Sequence, residues 1–228
     1  MVDVESEGGV TRIFLNRPEK VNALGSAHLE DLLLALRRLE RNQEMRVAVL
    51  GGRGKAFCGG ADVKEISRLT ASNAGDFVQK IHAVCEAIRE LPVPVIARLH
   101  GAVIGAGLEI AAACDLRIAA EGTRFSMPEV RIGIPSVVEA ALLPRLMGSG
   151  RAAWLVLTGE AIDARRALEW GLIEQVGGDD AIDQVVQILL RNDAKALRMQ
   201  KQLLQLWEEA PLAVSIEKSI DLFGQSHR

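Results

Sequence analysis

Residues 105–114, GAGLEIAAAC, constrain the fold more than any other stretch of the chain. Every side chain there is apolar or absent except that of Glu109. A helix without a polar face has to be enclosed by the rest of the molecule. The stretch follows the apolar run VIARL (95–99) and precedes DLRIAA (115–120), both strand-like. A helix reading over 107–114 between two such strands predicts parallel pairing in a sheet covered by helices.

The alternation extends along the chain. Residues 10–15 (VTRIFL) read as a strand and NRPEKVNAL (16–24) as a polar turn. Ser26 is the expected N-cap of a long helix with Leu29, Leu32, Leu33, Leu36 and Leu39 on one face. RVAVL (46–50) is a second strand and opens a glycine-rich loop, GGRGKAFCGGAD. Residues 72–91 form an amphipathic helix with Phe77, Ile81, Val84, Ile88 and Leu91 inward, ended by Pro92 and Pro94. TRFSM (123–127) and 172–176 supply further strands, and helical patterns dominate from 136 onward. The expected class is α/β. A loose division near Gly148–Gly150 separates a strand-rich part, 1–148, from a helical part, 149–228, within one overall domain.

Composition narrows the function. With 228 residues, 49% hydrophobic and 25% charged, the chain has ample material for a core and none of the bias of disordered or disulfide-framed proteins. A net charge of −3 gives no basic field for nucleic acid or anionic membrane. The absence of Tyr excludes chemistry that needs a phenol. Cys58, Cys85 and Cys114 are widely spaced and form no CxxC, which suits reduced thiols. The opening MVDVESEGGV lacks the charge and apolar pattern of a secretory signal, and no apolar run approaches the ~20 residues of a membrane span. The expectation is a soluble cytoplasmic protein with no membrane or nucleic-acid partner.

Two glycine loops invite a nucleotide reading, and both depart from it. GGRGKA lacks the GxxxxGK[ST] spacing, and Ala56 stands where a metal-binding hydroxyl belongs. GAGLEI has Ile110 in place of a third glycine. Gly59-Gly60-Ala61 and Gly105-Ala106-Gly107 each place small residues at the entry to a helix. Such loops let main-chain amides approach a ligand oxygen as an oxyanion hole, or they serve only tight turns and close packing. Glu109 is either ion-paired, with Arg98 or Arg117, or it lines a pocket with a perturbed pKa. Glu129 lies in FSMPEVRIGIP, a loop stiffened by Pro128, Gly133 and Pro135, and faces a cleft or water. His82 and Cys85 lack the second pair a metal site needs. His82 is expected at the surface, His100 as a cap or packing residue, and Cys58 in packing.

Taken in order, NRPEKVNAL, KAFCGGADVKE (55–65), PVPVIARLHGAVIGAGLEIAAACDLRIAA (92–120), FSMPEVRIGIP (125–135) and LTGEAIDARRALEWGLIEQV (157–176) resemble the crotonase, or enoyl-CoA hydratase/isomerase, superfamily. The resemblance runs from about Val10 to about Phe223 and is strongest to bacterial-type hydratases. It implies a spiral of ββα turns with a helical C-terminal part, assembled as trimers or dimers of trimers. It further implies oxyanion-hole amides at Ala61 and Ala106, catalytic glutamates at Glu109 and Glu129, and acyl-CoA contacts at Ala23, Gly59, Gly60, Ala61, Asp62, Val63 and Lys64. No cofactor or metal is implied, because coenzyme A is part of the substrate. The implied reaction is hydration of a trans-2-enoyl-CoA to a 3-hydroxyacyl-CoA. Alternatives are an enoyl-CoA isomerase, which needs one base, and a non-catalytic homologue that binds acyl-CoA or a protein. Three departures stand out. Ser136-Val137-Val138-Glu139 replaces a stretch that is glycine-rich in many members, bringing bulk and a third carboxyl group. The 177–200 region is short, and FGQSHR precedes the further helical segment usual in the family, so the C-terminal part reads as truncated.

Overall fold

A computed structural model describes residues 2–226. The chain opens with a hairpin of β1 (Val2–Glu7) and β2 (Val10–Leu15), turned by Gly8 and Gly9, both at positive φ. Then follow α1 (Ser26–Leu39), β3 (Val47–Gly52), α2 (Val63–Ile66), α3 (Ala74–Glu90), β4 (Val95–Leu99), β5 (Ala102–Ile104) and α4 (Ala106–Ala112). Next come β6 (Leu116–Ala119), β7 (Arg124–Ser126), α5 (Leu143–Met147), α6 (Ser149–Thr158), β8 (Ile162–Asp163), α7 (Ala164–Trp170) and β9 (Gln175–Val176). The helices α8 (Asp179–Arg191), α9 (Ala194–Glu209) and α10 (Leu212–Ser226) complete the chain.

The main sheet has the order β1-β2-β3-β4-β6-β9, parallel from β2 onward. Beside it runs a smaller sheet, β5-β7-β8. The two are linked by a repeat. After β2 the chain passes Leu24, which bridges to Ala61; after β3 it passes Cys58, which bridges to Val103 in β5; after β4 comes β5, which pairs with β7. Each long strand is thus followed by a short strand-like step in a second ladder, and the first three such pairs lead into a helix. This is the ββα spiral expected of the fold.

Alternation along the strands places apolar groups on both faces of the main sheet. Val10, Val47, Val49, Ile96 and Ile118 pack under Ala181, Ile182 and Val186 of α8. On the other face Ala48, Leu50, Val95, Ala97 and Leu99 join the main core with α1, α3 and α4. A sheet buried on both faces needs near-continuous apolar strands, and VAVLGG and VIARL supply them. The same core takes in Ala152, Leu155, Ala164 and Ala167, so residues on either side of position 149 share one interior.

Three local readings need correction. Gly25, not Ser26, is the N-cap of α1. The Glu65 carboxylate occupies that helix end instead, accepting from the Ser26 N–H at 2.9 Å and from its hydroxyl. Leu33 is only partly buried, while the other leucines of that face are enclosed. The strands β1, β5 and β8 are additions to the sequence reading.

The polar turn 16–24 proves to be a structural knot. Asn22 is 2% exposed and sits at φ +55°, a conformation asparagine tolerates. Its Nδ2 donates to the carbonyls of Arg53, Ala56 and Phe57 at 2.8–3.1 Å, and its Oδ1 accepts from the Arg17 N–H. One side chain therefore ties this turn to the loop that leads to Ala61. Asn22→Ala is expected to lower stability by about 3 kcal/mol, since it strands buried carbonyls and puts alanine at positive φ. Urea unfolding reads this as a lower midpoint at unchanged slope; an unchanged midpoint would refute the assignment.

Candidate active site

All seven residues of α4 are buried, as its composition demands. Its N-terminus abuts the 58–61 loop because small residues permit it. A Cβ on Gly107 would lie 2.7 Å from Cys58 Cβ, and one on Gly60, at φ +96°, 2.9 Å from the Ile104 carbonyl oxygen. Cys58 closes the contact, its N–H donating to Ala102 O at 3.0 Å and its carbonyl accepting from Ile104 N at 3.1 Å. Its thiol is fully enclosed and burial pushes it up to about 12, which suits packing and not reactivity.

This approach sets two amides at one cavity. Leu24 N–H donates to Gly60 O and Asp62 N–H to Leu24 O, both at 2.8 Å, so Ala61 between them turns its own N–H away from Leu24. Ala106 is the first residue of α4, where helical amides lack intrahelical acceptors. Neither amide donates to another protein group among the described residues. Both residues line a cavity of about 460 Å³ together with Glu109 and Glu129, and Ile66, Leu69, Phe77 and Ile81 make its apolar wall.

Glu109 is 4% exposed. Burial, then the neighbouring Glu129, and in smaller part Glu139 push its carboxyl up to about 8, against the pull of the Ala140 N–H. The ion pairs considered for it do not form: Arg98 bonds Asp179, and Arg117 bonds Glu174. Glu129 opens a short 3-10 turn, Glu129–Ile132, with Pro128 as its N-cap. Its carboxylate accepts from the Ser136 hydroxyl at 3.1 Å, and burial raises its pKa too. Glu129 Oε1 lies where a Cβ on residue 105 would be, so glycine is required there by close approach as well as by its φ of +50°.

The other residues carried by the resemblance stand apart from this wall. Ala23, Gly59, Gly60, Asp62, Val63 and Lys64 do not line the cavity. The Asp62 carboxylate accepts from Arg17 at 2.7 Å and from the Lys64 N–H at 3.0 Å, and the Arg17 bond holds its pKa below the usual carboxylate value. Arg17 also reaches Ala23 O at 3.1 Å. Val63 and Lys64 are exposed. His100 bonds the Gly54 carbonyl from a half-buried position, in keeping with packing. Among the described residues no cluster of His, Cys, Asp or Glu is suited to a metal ion. Sequence reasoning missed Ser136 as a partner of Glu129 and His82 as a partner of Glu139.

The raised pKa of Glu109 has a consequence for stability. Between its ordinary value of 4.5 and about 8 the folded chain holds a proton that the unfolded chain releases, so this group lowers stability as pH rises through that window. By pH 7 the cost is about 3 kcal/mol. Glu109→Gln, which keeps the shape without the charge, is expected to raise the melting temperature, with a gain that grows from pH 5 to pH 8. Scanning calorimetry across that range tests it; a gain independent of pH would contradict it.

A family model for enoyl-CoA hydratase/isomerase matches residues 5–227. YngF of Bacillus subtilis is 41% identical over 166 residues, 72% of this chain and 64%, less than two thirds, of that protein. The short-chain-enoyl-CoA hydratase of Clostridium acetobutylicum is 31% identical over 230 residues, covering 98% of this chain and 88% of that one. The crystal structure of enoyl-CoA hydratase from Bacillus anthracis superposes with a TM-score of 0.93 at 32% identity, over 98% of this chain and 89% of that chain. With its ββα spiral, its paired glycine loops and this match from end to end, the chain belongs to the enoyl-CoA hydratase/isomerase family, the crotonase superfamily.

Proposed function

We propose that the protein adds water across the double bond of a trans-2-enoyl-CoA to give the 3-hydroxyacyl-CoA. The observation that supports this reading is one apolar-walled cavity bearing two glutamates and two amides that have no partner among the described residues. In this reading the N–H groups of Ala61 and Ala106 bind the thioester oxygen and stabilise it as it gains enolate charge. A donor so placed contributes about 3 kcal/mol in the transition state. A water held between Glu109 and Glu129 supplies its oxygen to Cβ and gives one proton to a carboxylate. The π electrons move to the thioester oxygen, and Cα then takes a proton from the other carboxyl group. One water is added in total, and the glutamate pair ends with the protons it began with.

Two carboxyls near each other in an apolar cavity suit this cycle because the charge on one disfavours the charge on the other, which splits their titrations. An isomerase needs one base, whereas water addition uses both. The segment Gly59–Lys64, with Ala23, is assigned to the coenzyme A portion, through main-chain contacts where Asp62 is already engaged by Arg17. Self-association as trimers or dimers of trimers belongs to the same reading, supported by Leu212, Ile216, Ile220 and Phe223, which lie exposed along α10. Three unpaired, buried thiols support a reducing setting such as the cytoplasm, and no described helix is long and apolar enough to cross a membrane.

The test is loss of enoyl absorbance when purified protein meets crotonyl-CoA. Wild type is expected to turn over, with kcat falling at least about a hundredfold in both Glu109→Gln and Glu129→Gln. Turnover of a 3-enoyl-CoA that survives Glu109→Gln would replace hydration by isomerisation. Thioester binding without turnover of either substrate would overturn the enzymatic reading.

A further inference from the structure

The turn 16–24 holds the loop that carries Ala61, and the hydration cycle uses none of its side chains. Val21 and Asn22 both sit at φ +55°, consecutive left-handed residues of which the first is β-branched. Such a backbone is strained and persists only where its surroundings hold it. It brings a run of main-chain groups against residues 58–62. Val21 O accepts from the Gly59 N–H at 2.8 Å; Leu24 donates to Gly60 O and accepts from the Asp62 N–H, each at 2.8 Å. The Cys58 thiol reaches Asn22 O at 3.3 Å. In a trans peptide the carbonyl of residue 60 and the N–H of residue 61 point in opposite directions. The bond from Leu24 to Gly60 O therefore sets the direction of the Ala61 N–H.

Arg17 closes this arrangement from outside. Its main-chain N–H donates to Asn22 Oδ1 at 2.8 Å, and its carbonyl accepts from the Asn22 N–H at 2.9 Å. From that fixed start its Nη1 donates to the Ala23 carbonyl at 3.1 Å and to Asp62 Oδ2 at 2.7 Å. Asp62 Oδ1 accepts from the Lys64 N–H at 3.0 Å, as the N-cap of α2. The guanidinium thus joins the residue before Leu24 to the residue after Ala61, and Leu24 and Ala61 are the two that bridge the segments. The Arg17 and Asp62 side chains are only 20% and 18% exposed. A charge-assisted bond so shielded holds its geometry better than a surface ion pair does.

We propose that Arg17 is a positioning residue for the Ala61 amide. By fastening Ala23 to Asp62 it keeps the Leu24–Ala61 bridge closed and the Ala61 N–H aimed at the cavity. This role rests on the reading in which that N–H binds the thioester oxygen, because a donor's contribution there depends on its direction as well as its presence. Arg17→Met keeps the stem and removes both bonds. Asp62→Asn keeps an oxygen for the Lys64 N–H, removes the charge, and gives the same readout should Arg17→Met not fold.

Butyryl-CoA labelled with carbon-13 at the thioester carbonyl has no double bond to hydrate, and the infrared stretch of that carbonyl falls as donors polarise it. Bound to wild type, the stretch is expected below its value in free butyryl-CoA; in both variants it is expected to move back toward that value. On crotonyl-CoA, kcat is expected to fall about tenfold with little change in KM, less than the loss of a whole donor would cause. Since the two residues act as one clamp, the double variant is expected to lose little more than either single one. A stretch and kcat equal to wild type in the variants overturn the proposal. So does a raised KM at unchanged kcat and stretch, which would make Arg17 a contact of the coenzyme A portion. Wild type that binds butyryl-CoA without shifting the stretch would refute the oxyanion reading itself, whereas a shift that survives in the variants refutes only the role of Arg17.

Discussion

A carboxyl group inside an otherwise apolar, fully buried helix is the constraint on which the other features of the site depend. Placed there, Glu109 forms no ion pair among the described residues, and the charges that act on it are the carboxylates of Glu129 and Glu139. Enclosure of this kind is destabilising unless the group is neutral, so the site holds a proton at pH values where an exposed glutamate would have lost it. Proton storage in an apolar cavity is useful to chemistry that must give a proton to carbon and take one from water. The helix that encloses Glu109 also begins with an amide, Ala106, that has no acceptor among the described residues, so one short element brings a carboxyl group and an amide to the same cavity.

That element is positioned by the second ladder of the spiral. The bridges from Leu24 to Ala61 and from Cys58 to Val103 are single steps, too short to be stable strands alone. They persist because each is continuous with a long strand of the main sheet and a helix on the core. Close approach then does the rest: Gly60 under the Ile104 carbonyl, Gly107 against Cys58, and Gly105 against the Glu129 carboxylate. The oxyanion and close-packing readings of the glycine loops are therefore compatible. Packing at Gly60 and Gly107 draws together the two loops whose neighbouring amides have no acceptor among the described residues.

Much of this was legible in the sequence, for reasons that differ by residue. The strands 10–15 and 95–99 match their expected bounds because apolar runs there end at polar, proline or glycine residues. By contrast β1 is a largely exposed edge strand whose VDVESE carries little core signal. The three-residue β5 exists through its pairing with β7 and the bridge to Cys58, which local preference does not encode. Glu109 stood out as the one charge in an apolar helix, whereas Glu129 drew its weight from the family motif, since loop glutamates are common. His82 and Glu139 are separated by 57 positions, and nothing in either neighbourhood announces the partner.

Several departures from local preference meet at one wall of the cavity, and others lie in the turn 16–24, where Val21 and Asn22 have positive φ. Val138 holds a backbone angle unsuited to valine, Glu139 buries an oxygen without a partner, Glu109 is enclosed without a counter-charge, and Glu129 occupies space that only glycine leaves open. In the main sheet pattern, propensity and packing agree, as its two apolar faces and the α8 cover show. Departures from local preference at a few sites are tolerated because the rest of the core is internally consistent. Side chains of the turn Val138–Leu142 also determine how the wall is held. Glycine would allow this turn its conformation through freedom, whereas here a hydrogen bond between Glu139 and His82 on α3 fixes it.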